Sequence, residues 1–183
     1  MNRRHLLELL GMSAAAVVLP TAGHAAERAP DVTALHDGWT AFVPAGVVTV
    51  ALEPRLERSD DEWRRALPQG AYDVLFEEDT ERPFSSPLNE EKRRGLFVCR
   101  ACELPLFTSA MKFDSGTGWP SFFTAIPGHL ETKTDYKLIW PRTEYHCAKC
   151  GGHQGHVFDD GPAPTGQRWC NNGLALSFLP STT

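Results

Sequence analysis

Two short cysteine pairs constrain this chain more than any other feature. Cys99-Arg-Ala-Cys102 and Cys147-Ala-Lys-Cys150 share one spacing and are separated by 44 residues. A CxxC turn sets two sulfurs side by side, and four such thiolates suit one tetrahedral zinc ion. The interval is too long for a compact zinc finger. A metal held by Cys99, Cys102, Cys147 and Cys150 would therefore clamp two distant turns of a larger domain. Two disulfides, within or across the pairs, use the same residues. A thioredoxin-like redox role fits less well, because neither pair sits at the strand-to-helix junction of a βαβ unit. One structural zinc ion on four cysteines is the expectation.

Cys170 is the fifth cysteine and has no obvious mate. An unpaired thiol reads as a reactive one, with a buried inert cysteine as the alternative. If Trp169 to Phe178 is one strand, period two places Asn172 on the same face as Cys170. Arg168 brings positive charge that favours the thiolate. His153 and His156 lie three apart in a glycine-containing run and are expected to share a face of a turn. Imidazoles near a thiol can promote its ionisation and pass protons to a leaving oxygen. Farther upstream, Gly116-Thr-Gly118 predicts a sharp turn that presents Trp119, and Pro120 biases Trp119 towards an extended conformation.

The chain has 183 residues, of which 42% are apolar. That is enough for one domain with a real core and an extension. With 15 glycines, 14 prolines and no long amphipathic helix past the N-terminus, the expected fold is mainly β. Short N-terminal helices are predicted from Ser59, where Glu62 completes a capping box, and over Gln69 to Glu78. In the second helix Tyr72, Leu75 and Phe76 are expected core residues. Ala45 to Leu52, Gly95 to Cys99, Thr132 to Leu138 and Glu144 to His146 read as strands. A net charge of −5 gives no reason to expect nucleic acid as a partner.

Residues 1–25 read as an export signal. Arg3-Arg4 precede an apolar run at Ala14 to Leu19, and Gly23-His24-Ala25 supplies small residues for cleavage. The arginine pair resembles a twin-arginine signal. The apolar run is too short for a comfortable membrane span, so no stable membrane insertion is expected after cleavage. Residues 26–56 are an N-terminal extension, expected to be a mobile lead-in, and 57–183 the functional domain. A periplasmic monomer is the expectation. The oxidising compartment makes the fate of the cysteines a live question.

Together these residues resemble the B-type methionine sulfoxide reductases. The resemblance rests on Glu81-Arg-Pro-Phe84, both CxxC pairs, Phe113-Asp-Ser-Gly-Thr-Gly-Trp-Pro-Ser-Phe122, Gly152-His-Gln-Gly-His-Val-Phe-Asp-Asp160 and Arg168-Trp-Cys-Asn-Asn172. It implies antiparallel sheets in a small barrel-like domain. It implies that Cys170 attacks the sulfur of an R-epimer methionine sulfoxide, in proteins or peptides, and becomes a sulfenic acid. His153, His156 and Asn172 would manage the oxygen and its protons. Trp119 would wall the substrate methyl, with Arg168 in support. Trp169 and Gly173 depart from the residues usual in the family, and both are expected to flank the pocket. Many members carry a resolving cysteine in the Gly-Thr-Gly turn, where this chain has Thr117. The sulfenic acid is then expected to need an external thiol reductant.

Overall fold

Local sequence signals place the first elements of the computed structural model, which describes residues 29–136 and 141–181. The export signal of residues 1–25 lies outside the described residues. Asp31 caps helix α1 (Val32–Asp37) by accepting from the Ala34 amide. Helix α2 (Asp60–Ala66) begins at Ser59 as expected. The Glu62 carboxylate accepts from both the amide and the hydroxyl of Ser59. A cap of this kind is worth about 1 kcal/mol. Helix α3 (Gln69–Phe76) buries Tyr72 and Leu75, while Phe76 is half-buried and stacks on Trp63. Among the described residues no helix is long and apolar enough to cross a membrane.

Two antiparallel sheets follow. The smaller has the order β2 (Pro105–Thr108), β1 (Gly95–Cys99), β9 (Leu176–Pro180). The larger runs β3 (Lys112–Phe113), β4 (Ser121–Phe122), β8 (Arg168–Asn171), β7 (His153–Phe158), β6 (Arg142–Cys147), β5 (Leu130–Asp135). Phe97, Phe107, Phe122 and Tyr145 fill the space between them. Phe107 stacks on Phe122 at 3.9 Å between ring centres, and Phe97 meets Phe122 edge-on at 5.0 Å. Burying each such ring contributes roughly 1.5–3 kcal/mol. The mainly β expectation holds. Closure into a barrel is only loosely approached: among the described residues β3 and β5 are the edges of the larger sheet.

Two expected strands are corrected. Ala45 to Leu52 forms no strand; a turn donates from the Val47 amide to the Pro44 carbonyl, and Val48 is exposed. Its β-branched residues have no neighbouring strand to pair with, and propensity alone does not make a ladder. Trp169 to Phe178 is not one strand. β8 ends at Asn171, a 3₁₀ turn occupies Gly173–Ala175, and β9 joins the other sheet. The cause is Glu81, whose carboxylate accepts from the Gly173 amide at 2.5 Å and the Leu174 amide at 2.9 Å. Those amides are drawn out of the ladder and the chain crosses between sheets. The predicted strand from Thr132 to Leu138 is β5, with Lys137 and Leu138 outside the described residues.

Candidate active site and cysteine cluster

The larger sheet assembles the candidate site on one face. His156 of β7 opposes Cys170 of β8, and Glu144 of β6 opposes His156. Directly opposed residues project to one side, so Glu144, His156 and Cys170 line up across three strands. Strict alternation would send His153 to the other side, three residues from His156. The register shifts between Tyr145 and His146, however, leaving Gln154 as the extra residue of a bulge. His153 then opposes His146 and returns to the site face, its ring centre 5.5 Å from that of His156. The two histidines share a face as expected, but on a bulged strand rather than a turn. Gly155 allows the strands to close up: a Cβ there would lie 1.9 Å from the Cys170 carbonyl oxygen.

Cys170 opens into a cavity of about 130 Å³ whose walls include Trp119, His156, Asn172 and Arg142. Pockets for drug-sized ligands start near about 300 Å³, so this one suits the end of a single side chain. Trp119 is held upright by its indole N–H, which donates to the Glu81 carbonyl at 3.2 Å. The turn that presents it needs Gly118, whose φ is +92° and whose Cβ position is filled by Pro83 and Phe84.

The polar groups are tied down from behind. His156 Nε2 lies 2.9 Å from the Asp135 carboxylate, which Arg142 also contacts at 2.6 Å. His153 does not line the cavity. It is buried, and its Nδ1 lies 2.8 Å from Glu144. Burial lowers the His153 pKa, with Glu144 opposing, so the ring is kept neutral. Asn172 reaches the cavity but is braced at both ends. Its Nδ2 donates to the Gln154 carbonyl at 3.2 Å and its Oδ1 accepts from the Glu81 amide at 3.2 Å.

Arg168 pairs bidentately with Asp160, at 2.8 and 2.9 Å, and reaches Cys170 from that anchor. Burial nevertheless raises the Cys170 pKa above the ordinary thiol value. The Arg168 charge and hydrogen bonds from Thr117 and Arg168 only partly offset it. The site therefore holds Cys170 as a thiol at rest, and the expected bias to thiolate is outweighed by desolvation.

Sequence reasoning missed Asp135 and Glu144, the carboxylates that orient the histidines. Glu144 was detectable in principle, since it lies two residues before His146 on a strand. Its partner His153 needs the bulge, which local sequence does not announce. Trp169 and Gly173 are corrected. Trp169 opposes Val157, on the face away from Cys170, and packs edge-on against Tyr145 at 5.0 Å. Gly173 packs against Ser86, where a Cβ would meet the hydroxyl at 1.9 Å. Neither wall of the cavity depends on them.

The four remaining cysteines converge as the CxxC spacing predicts. Their sulfurs all lie within 4.8 Å of one another, with Cys99–Cys150 at 3.6 Å and Cys102–Cys147 at 3.5 Å. These separations are far beyond a disulfide bond of about 2.05 Å. They match the edge of about 3.8 Å of a tetrahedron with metal–sulfur bonds of about 2.3 Å. With protons alone, hydrogen bonds from its neighbours push the Cys147 pKa down, while Cys99 and Cys150 are pushed up. Four thiolates cannot coexist there without a cation, and a divalent metal removes that conflict. Cys99 ends β1 and Cys147 ends β6, so a bound ion would staple the two sheets together.

A family profile described as the SelR domain matches residues 67–180. The chain is 48% identical over 128 residues to a peptide methionine sulfoxide reductase MsrB of Agrobacterium fabrum, covering 69% of this chain and 95% of that protein. An MsrB of Methanosarcina barkeri is 47% identical over 124 residues, covering 67% and 87%. An MsrB of Pseudomonas putida is 47% identical over 129 residues, covering 69% and 96%.

Proposed function

The chain belongs to the MsrB family of peptide methionine sulfoxide reductases, and on that premise we propose that it reduces the R epimer through a sulfenic acid on Cys170. The observation that carries this reading is Cys170 in a side-chain-sized cavity, with Trp119 on one wall and His156 directly opposite in the sheet. The sulfoxide methyl packs on the indole and the oxygen points to the polar wall. The Cys170 sulfur attacks the sulfoxide sulfur, and the proton leaving the thiol is balanced by one arriving on the oxygen. The oxygen then passes to Cys170 as methionine departs. The sulfoxide sulfur is reduced by two electrons and Cys170 is oxidised by two.

Each protein group has a defined part. Arg168 and Thr117 stabilise negative charge on the attacking sulfur against the cost of burial. His156, held by Asp135 through Nε2, keeps its other nitrogen for proton traffic. Neutral His153 stands behind it, fixed by Glu144. Asn172 orients the oxygen from a braced position. One external thiol condenses with the sulfenic acid, releasing water and leaving a mixed disulfide. A second thiol releases Cys170 as a thiol and carries off the disulfide. Thr117 offers no sulfur, so the reductant comes from outside.

The cation assigned to Cys99, Cys102, Cys147 and Cys150 is one zinc ion with a structural role, given its preference for tetrahedral thiolates. Zinc would hold the sheets in register and takes no part in the sulfur chemistry. Substrates are oxidised methionines in proteins or peptides, met by a monomer. We also assign export to the periplasm by a twin-arginine route, on the strength of Arg3-Arg4 and the apolar run that follows. Folded export would let zinc enter in the reducing cytosol.

The test is an assay on each methionine sulfoxide epimer separately, with a dithiol reductant and with zinc measured in the same sample. Turnover of the R epimer by wild type, and none by Cys170→Ser, is the expected result. Equal turnover of both epimers, or activity surviving Cys170→Ser, would sink the reading.

A further inference from the structure

Residues 31–56 lie outside the matched span of 67–180, and the reaction uses none of them. They were expected to be a mobile lead-in, yet they are fastened on either side of an exposed stretch at 45–48. Phe42 is buried, and Leu35, Trp39, Val43, Leu52 and Leu56 pack on the core. Trp39 meets the ring of His129 edge-on at 5.5 Å, and the His129 carbonyl accepts from the Ala148 amide at 3.0 Å. The far end grips the second cysteine turn. Lys149, between Cys147 and Cys150, donates from Nζ to the carbonyls of Ala51 at 2.8 Å, Leu52 at 3.3 Å and Pro54 at 2.8 Å. The Lys149 carbonyl accepts from the Leu56 amide at 2.8 Å. All three donors of the ammonium are thereby satisfied by one short segment.

Both inner residues of that turn, Ala148 and Lys149, are therefore pinned, and the segment at 51–56 is what pins Lys149. We propose that residues 51–56 form a strap that locks the second cysteine turn and slows loss of its metal and oxidation of its thiols. Cys150 is the ligand that needs such cover, being half-buried where Cys99, Cys102 and Cys147 are buried. A chelator or oxidant takes the buried ligands from the cluster only when the turn opens, and opening must break charge-assisted hydrogen bonds. An exported protein benefits from such a lock, since exposed thiolates in an oxidising compartment become disulfides.

This inference rests on the zinc reading above, and the experiment separates the two. Zinc content of the full chain is measured first, then transfer of zinc to an excess of a chromogenic chelator is timed. Lys149→Met, which removes all three ammonium hydrogen bonds, is expected to release zinc at least about tenfold faster than wild type. Lys92→Met, at an exposed lysine away from the strap, should release at the wild-type rate. A folded Lys149→Met that releases within about twofold of wild type overturns the strap. If Lys149→Met fails to fold, Leu52→Ala with Leu56→Ala loosens the strap without altering the turn and is held to the same standard. If the wild-type chain holds no zinc, the zinc reading fails by itself. The lock is then judged by the rate at which Cys150 reacts with a maleimide, which must rise in the same variants or the strap is refuted.

Discussion

Thr117→Cys tests the geometry around the nucleophile most directly. Thr117 is near enough to Cys170 to help offset the rise in its pKa, so a thiol at position 117 starts close to that sulfur. The two residues stand at the ends of a loop of about 54 residues, and closing it by a disulfide removes up to about 4 kcal/mol of chain entropy from the unfolded state. The assay is a single turnover with methionine R-sulfoxide and no reductant. Wild type should gain one oxygen in mass. Thr117→Cys should instead lose two hydrogens, as the introduced thiol condenses with the sulfenic acid and expels water. The oxidised variant should then melt higher than its reduced form, by an amount that engineered disulfides often only partly deliver. A variant that keeps the extra oxygen, with no change in melting, would show that residue 117 does not face Cys170 during the reaction.

Three further outcomes follow from the same contacts. Because burial raises the Cys170 pKa against the help of Arg168, alkylation of Cys170 should climb with pH into the range above the ordinary thiol value of 9.0. Arg168→Met should slow it near neutrality and Asp160→Asn should speed it, and a reversed order would refute the assignment. The His153 pKa is depressed below 6.5, so the unfolded chain binds the extra proton first. Its contribution to stability is complete above 6.5 and is lost as pH falls from that value through the lower folded-state one, which denaturant titrations of wild type and His153→Asn will show as a slope present only in wild type. Stripping metal should separate the ends of β1 and β6, lowering the melting temperature and exposing four thiols to labelling; unchanged melting would remove the cluster's structural role.

Much of the site was legible because some chemistry is local. The CxxC spacing alone puts two sulfurs on one turn, and the duplicate implies a tetrahedral set whatever lies between. Ser59 and Glu62 announce α2 because a capping box spans only one turn of helix. Cys170 stood out because the other four cysteines had a shared use. The carboxylates behind the histidines were hidden for a different reason. Asp135 and Glu144 reach His156 and His153 only across strands, in a register set by packing and by the bulge at Gln154. The break after Asn171 was hidden likewise, because it depends on Glu81, more than ninety residues upstream.

The amino-acid sequence by itself determined which atoms do the chemistry: a lone thiol, two imidazoles, an indole after a glycine turn, and four thiolates spaced for a metal. Tertiary structure alone decided their protonation, their orientation and their cover. Protonation follows from burial, which makes Cys170 a thiol and His153 neutral. Orientation follows from cross-strand pairing, which brings Glu144 and Asp135 to the histidines. Cover follows from residues 51–56, whose composition says little, but whose carbonyls converge on Lys149 once the chain is folded. Side-chain identity is written residue by residue, whereas solvent exclusion and long-range contact exist only after distant segments have met.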